Sequence, residues 1–215
     1  MTGAGALAGI LLGIGLGARH AFEPDHLAAV SVLGADGPSP RRGMLIGALW
    51  GAGHTLSLLA CGLAVAIAAA QIPPLLADLF EIAVAAMLIV LGARAVVRAR
   101  PERHARVPVH AHVAPRRPGV RPVIVGAVHG LAGSGALVAL TTAALPTTAA
   151  RLAFIGLFGV GSIAAMSAIS GLAGWPLARL VRRPALATFL LGVAGLLSVV
   201  LGIVWAWIPV RHLFQ

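Results

Sequence analysis

The stretch Arg19-His20-Ala21-Phe22-Glu23-Pro24-Asp25-His26 places five ionisable side chains inside an otherwise apolar segment. Residues 7–17 before it and 27–34 after it carry almost no polar side chains. Ionisable groups within a membrane-spanning segment are energetically costly and mark functional sites by default. Imidazoles and carboxylates without a lysine are also a donor set that divalent transition metals accept. The stretch therefore indicates a metal site inside a membrane.

The proline in this stretch predicts a break in the helix. On an ideal helix His20, Glu23 and His26 share one face, whereas Asp25 points away from it. Pro24 removes a backbone donor and disfavours the α conformation at the residue before it. We expect a kink or a short unwound turn that brings Asp25 beside His26. The alternative is a kinked helix whose polar groups only tie it to neighbouring helices.

Composition extends this interpretation to the whole chain. The 215 residues are 59% hydrophobic, and the mean hydropathy is +0.97. Six apolar segments are each long enough, at roughly 20 residues, to cross a bilayer. They run over residues 4–33, 43–70, 75–98, 120–145, 149–174 and 184–208. We therefore expect an all-α integral membrane protein with six transmembrane helices, the first of them broken near Pro24.

Positive charge predicts the orientation of these helices. The formal net charge is +10, every basic residue among the sixteen is arginine, and most lie between apolar segments. Because cytoplasmic loops carry an excess of arginine and lysine, the pattern predicts a multi-pass protein of the cytoplasmic membrane with both termini outside. The same placement argues against nucleic acid as a partner. The Pro/Arg/His-rich residues 99–119 are expected to form a cytoplasmic loop.

An internal repeat appears when the chain is laid on itself with an offset of about 109 residues. Gly51-Ala52-Gly53-His54 then matches Gly159-Val160-Gly161-Ser162, and Arg19-His20 matches Val128-His129. Each half holds an odd number of predicted spans, so the halves must lie in opposite orientations. We expect residues 1–98 and 120–215 to be two three-helix repeats in a 3+3 inverted arrangement, as in secondary transporters. The alternative is that glycine-rich helices match by composition alone.

Three motifs together resemble a known family. His20-X4-Asp25-His26 looks like the HX4DH motif of the nickel/cobalt transporter family, and residues 20–30 are most similar to its short urease-accessory-type membrane relatives. Further matches are residues 49–55, Leu-Trp-Gly-Ala-Gly-His-Thr, and residues 128–135, Val-His-Gly-Leu-Ala-Gly-Ser-Gly. The resemblance implies a transporter for Ni²⁺ or Co²⁺ with the bilayer as its surroundings. A cytoplasmic metallochaperone is a partner compatible with that role; neither an organic cofactor nor enzyme activity is expected.

The resemblance also implies which residues bind the metal. The first motif assigns His20, Asp25 and His26, and the second adds His54. Four further polar residues are expected to line the pathway or to hold the ligands by hydrogen bonds. They are Glu23, His129, Ser134 and Ser162.

Several functions remain open at this point. The chain has no phosphate-binding loop of the Walker type, so transport would not consume ATP on this chain. Uptake is the simpler direction because the membrane potential drives a cation inward, whereas efflux would need proton antiport. An intramembrane zinc hydrolase would use three of the histidines and a carboxylate, although no HExxH is present. A metal-sensing subunit would bind metal without moving it.

Overall fold

A computed structural model describes residues 3–33, 39–68, 72–99, 119–180 and 184–214. Every regular element within these ranges is an α-helix, which confirms the all-α class. The helices are α1 Gly3–His20, α2 Pro24–Leu33, α3 Pro40–Ala68, α4 Pro74–Arg98, α5 Arg121–Ala144, α6 Thr148–Leu180 and α7 Pro184–His212. The loop predicted over residues 99–119 lies outside the described residues except for Ala99 and Gly119.

The first apolar segment is broken where the proline predicted it. Helix α1 ends at His20 and α2 begins at Pro24. Between them the amide of Phe22 donates to the carbonyl of Arg19 and the amide of Glu23 to that of His20, both at 3.0 Å. These short-range bonds close the end of α1, and Pro24, which has no amide hydrogen, starts the new helix.

Length and composition support a membrane-embedded chain. Within the described ranges, four helices are long and apolar enough to cross a membrane, namely Pro40–Ala68, Pro74–Arg98, Thr148–Trp175 and Ala185–His212. Leu7–His20 and Arg121–Ala132 are shorter apolar helices. Many large apolar side chains on the outer surface are exposed, among them Leu56, Ile67 and Leu172. A lipid-facing surface explains this exposure, and the chain is a multi-pass membrane protein. Six spans remain a prediction.

Glycines let the helices approach to backbone contact. A β-carbon on Gly17 of α1 would collide with the carbonyl of Phe158 in α6, and one on Gly126 of α5 would collide with that of Trp50 in α3. The same holds for Gly53 against Val123, and for Gly161 against Ile14, Gly92 against Gly195, and Gly202 against Ala85. The hydrophobic effect does not drive helices together inside a membrane, and small residues instead allow the close packing that holds them. The first four of these glycines hold α1 against α6 and α3 against α5, where the polar residues lie. Gly92 and Gly202 hold α4 against α7.

The short helix α2 is enclosed on several sides. It packs against α4, α6 and α7, and its residues Ala29, Val30, Val32 and Leu33 are buried. The break itself is less enclosed, since Ala21 is buried whereas Phe22 and Glu23 are exposed. The packing of α2 fixes the orientation of the polar residues at its start.

Candidate metal centre

Three histidines from three helices meet beside the break. His20 ends α1, His26 lies in the first turn of α2, and His54 lies in the middle of α3. Their ring centroids are separated by 4.5 Å for His20 and His26, 5.1 Å for His20 and His54, and 5.4 Å for His26 and His54. One nitrogen from each can lie within 4.8 Å of the others. This is the spacing of ligands that can share one metal ion.

Asp25 joins His26 to a fourth imidazole, that of His129. The His26 amide donates to Asp25 Oδ1 at 2.9 Å, and Nδ1 of the same residue lies 3.0 Å from that oxygen. The second oxygen, Oδ2, lies 2.8 Å from Nε2 of His129 in α5. All three side chains are buried, with 5% exposure for Asp25, 1% for His26 and 2% for His129. The break has brought Asp25 beside His26, as the sequence predicted.

These hydrogen bonds determine which ring nitrogens are free. An ionised carboxylate only accepts, so the nitrogen facing Asp25 must carry the proton in each ring. In neutral imidazoles the lone pair then lies on the opposite nitrogen, which is Nε2 in His26 and Nδ1 in His129. Neither of these atoms has a hydrogen-bond partner among the described residues. A carboxylate that orients a histidine in this way is the usual support of a metal ligand.

His20 has an equivalent support. Its Nδ1 lies 2.9 Å from Oε1 of Glu23, whose side chain is 50% exposed while that of His20 is 15% exposed. The contact leaves Nε2 of His20 as its acceptor nitrogen. The prediction that Glu23 holds a ligand through a hydrogen bond is consistent with this geometry.

His54 differs from the other three histidines. It is fully buried, and neither Nδ1 nor Nε2 has a hydrogen-bond partner in the described part of the chain. The indole nitrogen of Trp50, one turn earlier on α3, is also buried and has no hydrogen-bond partner within the same described residues, and its ring lies 5.4 Å from that of His26. An unpartnered buried polar group costs about 1–3 kcal/mol. A bound cation would take up the lone pair of one His54 nitrogen and so remove part of this cost.

The donors form two overlapping groups. One holds His20, His26 and His54, and the other holds Asp25, His26 and His129. His26 belongs to both, so an ion bound in either group would use this residue. In the second group both Asp25 oxygens already accept from imidazoles, and direct coordination by Asp25 would have to replace one of those bonds.

A cavity of about 70 Å³ adjoins the cluster. Its polar lining comprises His20, Glu23, Asp25, His26, Glu81 and His129, and Ala132 and Trp205 complete it. Neither Glu81 nor Trp205 was predicted at the site, because nothing in the linear pattern shows that α4 and α7 pack against α2. An acidic residue within an apolar helix was the one signal that could have found Glu81.

The structure says less about the two predicted serines, Ser162 and Ser134. The buried hydroxyl of Ser162 donates to the carbonyl of Gly17 at 3.1 Å. This bond ties α6 to α1 shortly before His20, and a pathway role for Ser162 stays a prediction. Ser134 belongs to α5, but its side chain is outside the described part.

These features define a class: a helical multi-pass membrane protein with a buried imidazole–carboxylate cluster at a helix break. The chain is 30% identical over 201 residues to the urease accessory protein UreH from Bacillus sp. (strain TB-90), which covers 90% of this chain and 88% of that protein. It therefore belongs to the UreH family, the urease-accessory-type relatives within the nickel/cobalt transporter family. No family model matches the chain, and no solved structure matches it.

Proposed function

We propose that this protein is a secondary transporter that moves Ni²⁺ or Co²⁺ across the cytoplasmic membrane. The observation that carries the proposal is the set of free ring nitrogens. Among the described residues, His26 Nε2 and both nitrogens of His54 are buried without hydrogen-bond partners, and they lie beside His20, whose Nδ1 faces the Glu23 carboxylate. Neutral imidazole nitrogens are preferred ligands of divalent first-row metals of this kind.

The division of roles follows from the hydrogen bonds. His20, His26 and His54 bind the ion directly, as predicted from the motifs. Asp25 fixes the proton positions of His26 and His129 and supplies the compensating negative charge. The sequence predicted Asp25 as a ligand together with His20, His26 and His54; we assign its direct ligation instead to a second position of the ion, held by Asp25, His26 and His129. Sharing His26 lets the ion move between the groups without losing all protein ligands at once.

The helix contacts support an inverted repeat. Gly17 contacts Phe158 and Gly126 contacts Trp50, and the offset of about 109 residues maps each contact onto the other. The pairs Gly53 with Val123 and Gly161 with Ile14 are related in the same way, as are Gly92 with Gly195 and Gly202 with Ala85. A symmetric set of contacts is what two equivalent halves packed face to face would make. Rocking of such halves around a fixed site gives alternating access.

Uptake is the direction that the energetics favour. Each elementary charge gains about 2.3 kcal/mol per 100 mV on moving inward, so a divalent cation gains about 4.6 kcal/mol. The arginine distribution places both termini outside and residues 99–119 in the cytoplasm. An ion released there would be available to a metallochaperone.

Flux into liposomes tests the proposal. Purified protein is reconstituted into vesicles holding a trapped metal-sensitive fluorescent chelator, and a potassium gradient with an ionophore makes the lumen negative. Ni²⁺ or Co²⁺ added outside should enter at a rate that grows with the potential. His26→Ala should abolish this flux, whereas Ser31→Ala, a substitution of an exposed polar residue on the same helix, should keep it.

The same experiment separates the rival functions. An intramembrane hydrolase or a metal sensor would bind metal without carrying it, so wild-type vesicles would show no entry above empty ones. Efflux by proton antiport would instead make metal movement depend on the pH gradient. Either result would refute uptake driven by the potential.

A further inference from the structure

We propose that Glu81 forms the outer entrance of the metal pathway, where it attracts the cation before the histidines bind it. This inference rests on the proposed transport function. Glu81 lies on α4 and lines the same cavity as His20, Asp25, His26 and His129. From the sequence alone Glu81 and Asp78 are two acidic residues near a helix end, which either gather cations or only form a solvated end.

The charge of the cavity lining favours a cation. The chain has six acidic residues, and three of them, Glu23, Asp25 and Glu81, line this one cavity. None of the sixteen arginines belongs to the lining within the described residues. A cleft lined by charge of one sign between low-dielectric walls raises the local concentration of the opposite ion.

The cavity is also lined by two buried histidines that can bind a cation. His26 and His129 line it, and each is buried with one ring nitrogen that has no partner among the described residues. Acidic side chains on a surface would say little by themselves. Here Glu81 lines the same cavity as His26 and His129, so a cation held at Glu81 lies next to residues that can bind it.

Helix positions identify the side of the membrane on which this route opens. Glu81 lies about 10 Å along the axis from the start of α4 at Pro74, and Trp205 lies about 10 Å from the end of α7 at His212. Those two helix ends are joined, because His212 Nδ1 lies 3.2 Å from Asp78 Oδ1. The positive-inside rule assigns this end of the bundle to the outer face. Glu81 therefore lies on the outer side of the histidine cluster.

The repeat offers an internal comparison. The offset of about 110 residues, which relates Gly92 to Gly202, maps Glu81 onto Leu191 of α7. The corresponding position of the second half is therefore apolar. An acidic residue on one side alone gives the pathway a polarity, with capture on the outside and no matching attraction on the inside.

Three variants test the inference. Glu81→Gln removes the charge and keeps the size, and Glu81→Asp keeps the charge. Asp78→Asn is the matched control, since Asp78 lies one turn earlier on the same helix and is absent from the cavity lining. Uptake into vesicles is measured at low and at saturating Ni²⁺ and at several ionic strengths, and equilibrium Ni²⁺ binding is measured by calorimetry in detergent.

Glu81→Gln should lower uptake at low metal about tenfold, within the range for electrostatic steering, and should flatten its dependence on ionic strength. The saturating rate should stay within about twofold and the Kd within about threefold, because the histidine ligands are intact. Glu81→Asp and Asp78→Asn should both stay near wild type.

If Glu81→Gln takes up Ni²⁺ at the wild-type rate, the inference is wrong and the transport function stands. The same holds if Asp78→Asn loses as much uptake as Glu81→Gln. A rise in Kd as large as the loss of uptake would make Glu81 a ligand of the central site and would also overturn it. Absence of flux in wild-type vesicles would instead refute the transport function, and this inference with it.

Discussion

Asp25 accepts a hydrogen bond from His129 at 2.8 Å, although 104 positions separate the two residues in the chain. The bond joins α2, in the first predicted repeat, to α5, in the second. A single carboxylate thus orients an imidazole from each half. If the halves rock against one another during transport, this contact lies at the surface where they move. The geometry of the candidate metal centre would then change with the relative position of the halves.

Replacing Asp25 by asparagine should weaken metal binding by about 10–100-fold, the usual effect of losing a carboxylate that orients a metal-bound histidine. Asparagine keeps the size but presents an amide group that can also donate, so the protons of His26 and His129 are no longer fixed on the nitrogens facing it. Calorimetry with Ni²⁺ in detergent measures the change. Glu23→Gln, at the half-exposed support of His20, should have a smaller effect. Equal losses in both variants would contradict the distinct role of Asp25.

His54→Leu should stabilise the metal-free protein and remove its stabilisation by metal. Leucine has a similar volume and no polar atom, so it relieves the burial of two unpartnered nitrogens, worth about 1–3 kcal/mol. Wild-type protein should instead gain about 2.7 kcal/mol from metal at 100 times the Kd. Thermal unfolding in detergent with and without Ni²⁺ reports both effects. A less stable variant that keeps the full metal-induced shift would show that His54 is a structural residue.

The contact between α1 and α6 should control the position of His20. A β-carbon at Gly17 would collide with the Phe158 carbonyl, whereas one at Gly15, two residues earlier, would have nothing within 4 Å. Gly17→Ala should therefore destabilise the protein by about 1–3 kcal/mol and weaken metal binding as α1 moves away. Gly15→Ala should be neutral or slightly stabilising, since alanine favours the helix. Thermal unfolding and calorimetry on this pair provide the comparison, and equal behaviour would refute the role of close approach.

The orientation can be tested by cysteine labelling in intact cells. In a Cys61→Ala background, an impermeant reagent added outside should label Thr2→Cys and miss His110→Cys until the cells are opened. The expectation follows from the excess of arginine in residues 98–121. Labelling of position 110 alone would reverse the topology and would place Glu81 on the cytoplasmic side.

Local chemistry made part of this site predictable from the sequence. Pro24 determined the break, and the cost of ionisable groups in a bilayer singled out His20, Asp25, His26 and His54. The motif match supplied His129, which lies 2.8 Å from Asp25, and its role in supporting ligands or lining the pathway stays a prediction. In each case one residue type, or one short spacing, carries enough physical constraint to be interpreted without tertiary structure.

Other features depend on how distant helices meet. Glu81 and Trp205 reach the cavity only because α4 and α7 pack against α2, and no periodicity in either helix marks that face. The free nitrogens could not be assigned either, since the proton on each ring depends on which atom faces Asp25. Helix α6 also extends to Leu180, beyond the predicted end at residue 174, because hydropathy marks the apolar part of a helix rather than its hydrogen-bonded length.

The break between α1 and α2 has an electrostatic consequence of its own. Aligned peptide dipoles leave about half a negative charge at the C-terminal end of a helix and half a positive charge at the N-terminal end. The end of α1 at His20 therefore attracts a cation, while Asp25 in the first turn of α2 offsets the opposing field of that helix. An unbroken helix would present neither end at this depth. The main chain thus contributes to cation attraction, and a continuous helix would lose that contribution even with every histidine retained.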